Sequence, residues 1–231
     1  MLTTAVRYLM RPMDVGDISQ VMEIERDSFP SIWPSTAFKR EIQHNHLARY
    51  LVAVEQTIEE DAAPEAEPDH VGPTALPLPP LRLGRWLTEL RRLFGGEEEA
   101  EPTTHEEPIV GFVGVWLMVD EAHIVTIAVR EGYRRRGIGE LLLIAAIELA
   151  LLNKRGAVSL ECRISNDAAI ALYEKYGFRQ LGIRPSYYSD TREDAVIMTT
   201  DRIGLPPYQT LFRQLKAEHR QRFGNYQFDF F

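Results

Sequence analysis

Apolar positions along the 231-residue chain change their period several times, and each change marks an element. Arg7 to Met13 alternates and predicts a first strand. From Asp17 to Ser28, the residues Ile18, Val21, Met22 and Ile24 return at helical spacing on a broad face, and FPSIWP, Phe29 to Pro34, ends that helix. A second helix is predicted over Ser35 to His44 with Ser35 as its cap, then a short strand over Tyr50 to Glu55. Strand signals return at Ile109 to Val119 and at His123 to Val129. The stretch RRRGIGELLLIAAIEL, Arg134 to Leu149, opens a long apolar helix, and Val158 to Ile164 reads as another strand. Ser165 to Phe178 reads as a helix capped by Ser165 or Asn166 and stopped at Gly177. Pro206 to Phe223 predicts a last helix that packs back through Tyr208, Leu211, Phe212, Leu215 and Phe223. The closing YQFDFF is a packing plug or an interaction tag.

Residues 56–107 break this regularity. They hold seven of the 14 prolines, acidic clusters and few aromatics, a composition that cannot repay its ordering entropy, so the segment is expected to be a mostly disordered insertion. A hairpin connection needs only a few residues, which makes an insertion of this size anomalous. Within it, Leu78 to Gly96 contains a short amphipathic helix with Leu83, Trp86, Leu87, Leu90, Leu93 and Phe94 near one face and four arginines around the rest. Residues 81–94 therefore either dock a partner or an anionic surface, or cover an apolar patch of their own domain.

The insertion also explains the charge. Net charge is −8, but acid concentrates between Glu55 and Glu107, leaving the remainder close to neutral. That balance argues against a general nucleic-acid-binding surface. With 45% hydrophobic and 26% charged residues, the chain can fill one core and carry an appendage. A lone Cys162 excludes an intramolecular disulfide, no run approaches a membrane span, and the N-terminus lacks a secretion pattern; a reducing cytoplasm fits.

The first candidate chemistry lies in the turn before the apolar helix. Gly137 and Gly139 let the backbone approach an anion where the helix's first amides are unpaired, and Arg134, Arg135 and Arg136 add cationic donors. The spacing Arg134-x-x-Gly137-x-Gly139 is neither the dinucleotide fingerprint nor a Walker loop. It resembles the acetyl-CoA loop of the GNAT acetyltransferases. LECRISNDAAIALYEKYGF followed by IRPSYYSDTREDAVIM narrows the resemblance to the RimI-like N-terminal protein acetyltransferases, over about Arg11 to Thr199 with one interruption. The resemblance implies an α/β acyl-CoA N-acyltransferase fold, a mixed, mostly antiparallel sheet that splays to admit acetyl-CoA, flanked by helices. It assigns residues 1–55 and 108–200 to that domain, 56–107 to the insertion and 201–231 to a C-terminal helical extension.

Amide formation from acetyl-CoA needs a neutral amine, support for the oxyanion and a proton for the leaving thiolate, and no metal. Glu161 stands in the apolar strand segment LEC, where a carboxylate is costly unless it is solvated through a cleft or has a task; otherwise it pairs with Arg163 or a distant arginine. Tyr173 follows Asn166 by two helical turns, and a phenol with a reference pKa near 10 suits a thiolate of about 8.5. The resemblance makes Glu161 the general base, acting through water, Tyr173 the general acid, and Asn166 a partner of the pantetheine arm. It sets the backbone of Ile127, Ala128 and Val129 against pantetheine, and the 134–140 turn, including Ile138 and Glu140, against pyrophosphate. His123 either orients water or serves as a second base, or is a polar strand-edge residue. His44 and His46 form an H-x-H pair without a third metal ligand nearby.

Two aromatic segments complete the expected site. Phe29, Pro30, Ile32 and Trp33 resemble the family's loop over the substrate's first residue, and Tyr187 and Tyr188 resemble its tyrosine-bearing hairpin; the alternative for these rings is rim packing. An α-ammonium of pKa about 7.7 to 8.0 is easier to deprotonate than lysine at about 10.4, by roughly 3.5 kcal/mol, so a carboxylate relay suffices for a protein N-terminus. The expected activity is Nα-acetylation of a protein, of the ribosomal class. Its rivals are acetylation of a small amine such as a polyamine or antibiotic, which calls for a closed acidic pocket, and a non-catalytic acetyl-CoA sensor.

Overall fold

A computed structural model of the chain describes residues 3–30, 33–60 and 107–230, with side chains from residue 7 onward except at 58–60. Among them lie the strands β1 (Thr3–Pro12), β2 (Ala48–Glu60), β3 (Ile109–Leu117), β4 (Glu121–Val129), β5 (Ala157–Arg163), β6 (Phe178–Tyr188), β7 (Glu193–Thr200) and β8 (Tyr226–Phe228). They form one sheet in the order β6-β7-β5-β4-β3-β2-β1-β8. Only β4 with β5 and β1 with β8 run parallel; the other neighbours are antiparallel, as the mixed sheet expected from the resemblance requires.

Helices α1 (Ile18–Ser28) and α2 (Ser35–His44) cover one face, where Val21, Ile24 and Phe38 meet Val52 and Phe112. The opposite face carries α3 (Ile138–Leu152), α4 (Asp167–Lys175) and α5 (Pro206–Phe223), whose side chains share a single cluster with Leu51, Val113, Val115, Ile124 and Leu160. α3 is apolar on nearly every side, and its burial follows: Leu141 through Ala146 are all buried, sandwiched between sheet and α5. Each buried leucine or isoleucine contributes on the order of 1.5–3 kcal/mol relative to exposure, which makes α3 the anchor of the core. The helix lies close on the sheet because Gly111 has no side chain; a Cβ there would sit 2.9 Å from the Ala128 carbonyl and 3.0 Å from Leu142.

Several boundaries differ from those expected. α2 begins at Ser35 itself, with Pro34 at the cap position and no side-chain cap, because the fixed φ of proline preorganises the entry. The first helix is preceded by a 3-10 turn, Val15–Asp17, closed by a reciprocal Asp14/Asp17 capping box, and buried Asp17 receives both Arg11 Nη1 and Nη2 at 2.7 and 2.8 Å. β2 runs on to Glu60, paired with β1 as far as Thr3↔Glu60, although QTIEE is polar; the backbone ladder, not apolar alternation, holds it. The strand expected over Tyr50 to Glu55 therefore continues to Glu60, and residues 61–106 lie outside the described residues. The expected amphipathic helix of 81–94 lies outside the described residues. The C-terminal segment behaves as a plug: α5 packs on the core, β8 adds to β1 at Tyr8–Met10, and Phe228 and Phe230 pack against the core cluster.

Candidate active site

β4 and β5 pair only from Glu121↔Ala157 to Ile124↔Leu160. Beyond that point β4 stays with β3 to Val129↔Gly111, while β5 turns to β7 as far as Arg163↔Ala195, so the two central strands part. A bulge starts the parting: the β3 partners jump from Gly114↔Thr126 to Val115↔Ile124, leaving Val125 extra. Arg134 Nε donates to the Val129 carbonyl at 3.2 Å from the parted side, while Arg130 N donates to Val110 on the β3 side. By alternation, the backbone groups of Ile127 and Val129 face the cleft and those of Ala128 face β3.

At the far end of the cleft, Gly137 caps α3 in the left-handed region (φ +78°), and no side chain caps that helix. The amides of Ile138, Gly139 and Glu140 have no carbonyl one turn back within the helix. Around Gly139 the space is open, since an added Cβ would meet only a Val129 methyl at 3.7 Å. Uncapped amides at the positive end of a helix, beside open space and reached along a parted strand, fit an extended cofactor with an anionic pyrophosphate. The arginines are less free than the sequence suggests. Arg134 also bonds Ser28 Oγ at 3.3 Å and the Asp27 carbonyl at 3.5 Å, which ties the turn to α1. Arg136 lies over the Tyr133 ring and faces the Tyr8 phenol. Arg135 is exposed, itself at φ +66°. The Glu140 carboxylate accepts from Lys175 Nζ at 2.6 Å and Tyr176 Oη at 2.8 Å, which pins α3 to α4 and offsets its negative charge beside the turn.

Where β5 leaves β4, alternation sends Ser159 and Glu161 to the α1/α2 face and Leu160 and Cys162 into the core. His123, opposite Ser159, points the same way. The result is a connected row: His123 Nδ1 lies 2.9 Å from Ser159 Oγ, and His123 Nε2 lies 3.0 Å from Glu161 Oε2. Arg184 Nε reaches Glu161 Oε1 at 3.0 Å from β6. The Glu161 side chain is only 8% exposed, so a carboxylate in an apolar strand is satisfied by two nitrogen partners. Arg163 is not one of them. Its guanidinium holds Asp190, Thr191 and Glu193 and lies 4.0 Å from the centre of the Tyr188 ring, fastening the β6–β7 hairpin to β5.

Tyr173 is buried, with its ring 5.7 Å from that of Phe178. Burial pushes its phenol well above the ordinary tyrosine range, so it keeps its proton at neutral pH. Burial likewise raises the Cys162 thiol to about 11 and the Tyr188 phenol to about 12. Tyr188 lies within electrostatic reach of both Glu161 and Tyr173, linking the two faces of the parting. Asn166 caps α4 by accepting from Ala169 N at 3.2 Å, which leaves its NH₂ as the donating group; Ser165 instead donates its backbone amide to Glu193.

Of the two aromatic segments, only the second is placed against this row, through Tyr188 within electrostatic reach of Glu161. Trp33 is 38% exposed and packs against Phe38, whereas Phe29 is part of the α1/α2 cluster; Ile32 lies outside the described residues. In the second segment, β6 carries extra residues between Arg184 and Tyr188, with Ser186 at φ +50° and its amide on Asp194, and this bulge presents Tyr187 edge-on to Tyr188. Trp116, opposite His123, donates Nε1 to buried Glu41 at 2.8 Å. Arg184, Glu41 and Trp116 were not singled out from sequence. Arg184 alone carried a usable signal, as the basic residue just before the PSYY bulge. Among the described residues no three histidine, cysteine or carboxylate side chains stand together as a metal site.

The sequence model of the acetyltransferase (GNAT) family matches residues 60–178. A putative ribosomal protein bS18-alanine N-acetyltransferase of Bacillus subtilis is 32% identical over 82% of this chain and 92% of its own length. An N-alpha-acetyltransferase of Saccharolobus solfataricus is 28% identical over 83% of this chain and 91% of its own length. Among solved structures, the ribosomal-protein-S18-alanine N-acetyltransferase from Escherichia coli superposes with a TM-score of 0.55 at 22% identity, over 87% of this chain and 94% of that one, which is a likeness of fold. With its parted central strands, its uncapped glycine turn and these matches, the chain belongs to the GNAT acetyltransferase family.

Proposed function

We propose that this enzyme acetylates the α-amine of a protein N-terminus, with Glu161 as general base and Tyr173 as general acid, and that a ribosomal protein with an N-terminal alanine is its substrate. One observation carries the reading. Just past the last β4–β5 pair stand the nearly buried Glu161 carboxylate and Cys162, with the buried, protonated Tyr173 phenol within electrostatic reach of Cys162 and Tyr188 within reach of both Glu161 and Tyr173. The similarity to an N-alpha-acetyltransferase of S. solfataricus supports an α-amine as acceptor, and that to the B. subtilis relative supports a ribosomal protein. A cytoplasmic location goes with it.

Acetyl-CoA supplies the activated acetyl group and a thiol leaving group. Backbone groups of Ile127 and Val129, the Asn166 amide and the amides of 138–140 would hold it. Glu161 accepts a proton from the substrate ammonium, directly or through one water, freeing the nitrogen lone pair to attack. Its hydrogen bond to His123 gives the received proton an onward path to Ser159 and solvent. Tyr173 keeps its proton until sulfur develops negative charge, then donates it, so thiol rather than thiolate departs. Phe29, Pro30, Trp33, Tyr187 and Tyr188 orient the entering chain end.

Glu161→Gln and Tyr173→Phe should each lower kcat on free-N-terminus peptides by about 10² or more while leaving the acetyl-CoA dissociation constant unchanged. Wild-type turnover in both variants would remove the assignment.

A further inference from the structure

The family match ends at residue 178, yet the C-terminal helix reaches back to the phosphate turn. His219, 4% exposed, places Nε2 2.9 Å from the Gly137 carbonyl, and the Phe223 ring covers the Gly137 Cα so closely that a Cβ there would lie 2.5 Å from ring carbons. The rings of His219 and Phe223 are 5.1 Å apart, so the two contacts form one surface. We propose that α5 braces the acetyl-CoA cradle, with His219 and Phe223 as positioning residues that hold the Gly137–Ile138 peptide for the cofactor's pyrophosphate. The proposal rests on the reading of residues 134–140 as that cradle.

The physical chain is short. A glycine in the left-handed region has a soft backbone, and the orientation of its following peptide decides where the Ile138 N–H points. Here the Gly137 carbonyl accepts twice, from Leu141 N at 2.9 Å and from His219 Nε2, which leaves that peptide plane no freedom. Because an acceptor carries the bond, the imidazole must present Nε2–H. Hydrogen bonding at the carbonyl also polarises the peptide and strengthens its N–H as a donor. Phe223 fills the space on the other side of Gly137 Cα. α5 points its own C-terminus toward the turn, a pole that would repel phosphate; Arg220 over Tyr226 and Arg222 over Phe223 supply cations that offset it.

The test measures acetyl-CoA binding calorimetrically in the full chain, beside steady-state kinetics and melting temperature. His219→Leu should weaken binding and raise the acetyl-CoA KM about ten-fold, the scale of one lost hydrogen bond, with kcat at saturation and the peptide KM retained. His219→Gln, which can return an Nε2 donor, should recover most of the affinity. Phe223→Leu, which keeps an apolar cover of different shape, should raise the same KM by a smaller factor and serves if His219→Leu does not fold. Unchanged affinity in the folded His219→Leu and Phe223→Leu variants overturns the brace, and tighter binding overturns it in favour of α5 obstructing the turn. Gly139→Glu is the separate control: if a bulky anion there leaves acetyl-CoA binding intact, the cradle itself is elsewhere, whatever the α5 variants do.

Discussion

At Glu161 the carboxylate is gripped from both sides, by His123 Nε2 and Arg184 Nε, each at 3.0 Å. The sequence offered two futures for this residue, a base or a strand glutamate paired with an arginine, and the structure contains the elements of both. Arg184 is 56% exposed while Glu161 is nearly buried, so the guanidinium reaches in from solvent. On the proposed mechanism it fixes the rotamer of the base. Arg184→Met should therefore lower kcat about ten-fold, less than loss of the carboxylate itself, with acetyl-CoA affinity unchanged; a faster variant would show that Arg184 restrains the base instead. Strand alternation places Glu161 on the α1/α2 face and helix capping places Asn166 at the start of α4, whereas the roles proposed for Glu161, Tyr173 and Asn166 come from the family resemblance. His123 was legible only as a choice, and Arg184 hardly at all, because its contact spans 23 residues and depends on a bulge in β6. Gly137 shows the opposite case: sequence assigned it to the ligand, whereas φ +78° and the Phe223 ring already require glycine there, so Gly139 is the cleaner probe of the cradle.

Among the elements, those with strong periodicity appeared where expected, and those held mainly by backbone pairing did not. α3 and β5 needed only their apolar runs. The far half of β2 is short of apolar alternation, and β8 alternates but over only 3 residues; both form because β1 offers an edge on each side. On either side of residues 61–106, β2 ends at Glu60 and Gln56 Nε2 meets Glu107 Oε1 at 3.1 Å. Replacing residues 61–106 by a flexible linker should leave a folded protein that acetylates peptides with kcat within about two-fold of wild type, since the Glu161 row stands along β4 away from that junction. Aggregation of the shortened chain would instead show that the removed segment covers apolar surface. α5 carries a pH dependence of its own. Burial lowers the His219 pKa, while Gly137 and Glu140 act to raise it and Lys175 and Arg220 to lower it further. Its unfolded value near 6.5 is the higher one, so the unfolded chain binds more protons as pH falls through that value. Stability should therefore drop below about pH 6.5 in wild type, and His219→Gln should flatten that part of the melting-temperature profile.

In the whole molecule, two contacts converge on the glycine turn proposed to hold the cofactor: Arg130 Nε bonds the Ile109 carbonyl just before it, and α5 reaches it through His219. The row proposed to face the substrate, with Trp116, His123, Glu161 and Arg184, lies along the paired part of β4 and β5 and just past it. The central claim is that the amine accepted here is a protein α-amine. Its direct measurement is acetyl transfer from acetyl-CoA to a panel of short peptides with free N-termini, an alanine-initiated ribosomal-protein sequence among them, beside the same peptides with blocked N-termini and an internal lysine, and beside polyamines. The account predicts kcat/KM at least about 10²-fold higher for the free N-termini, in line with the roughly 3.5 kcal/mol easier deprotonation of an α-amine. Equal or faster acetylation of blocked lysine peptides or polyamines would contradict it.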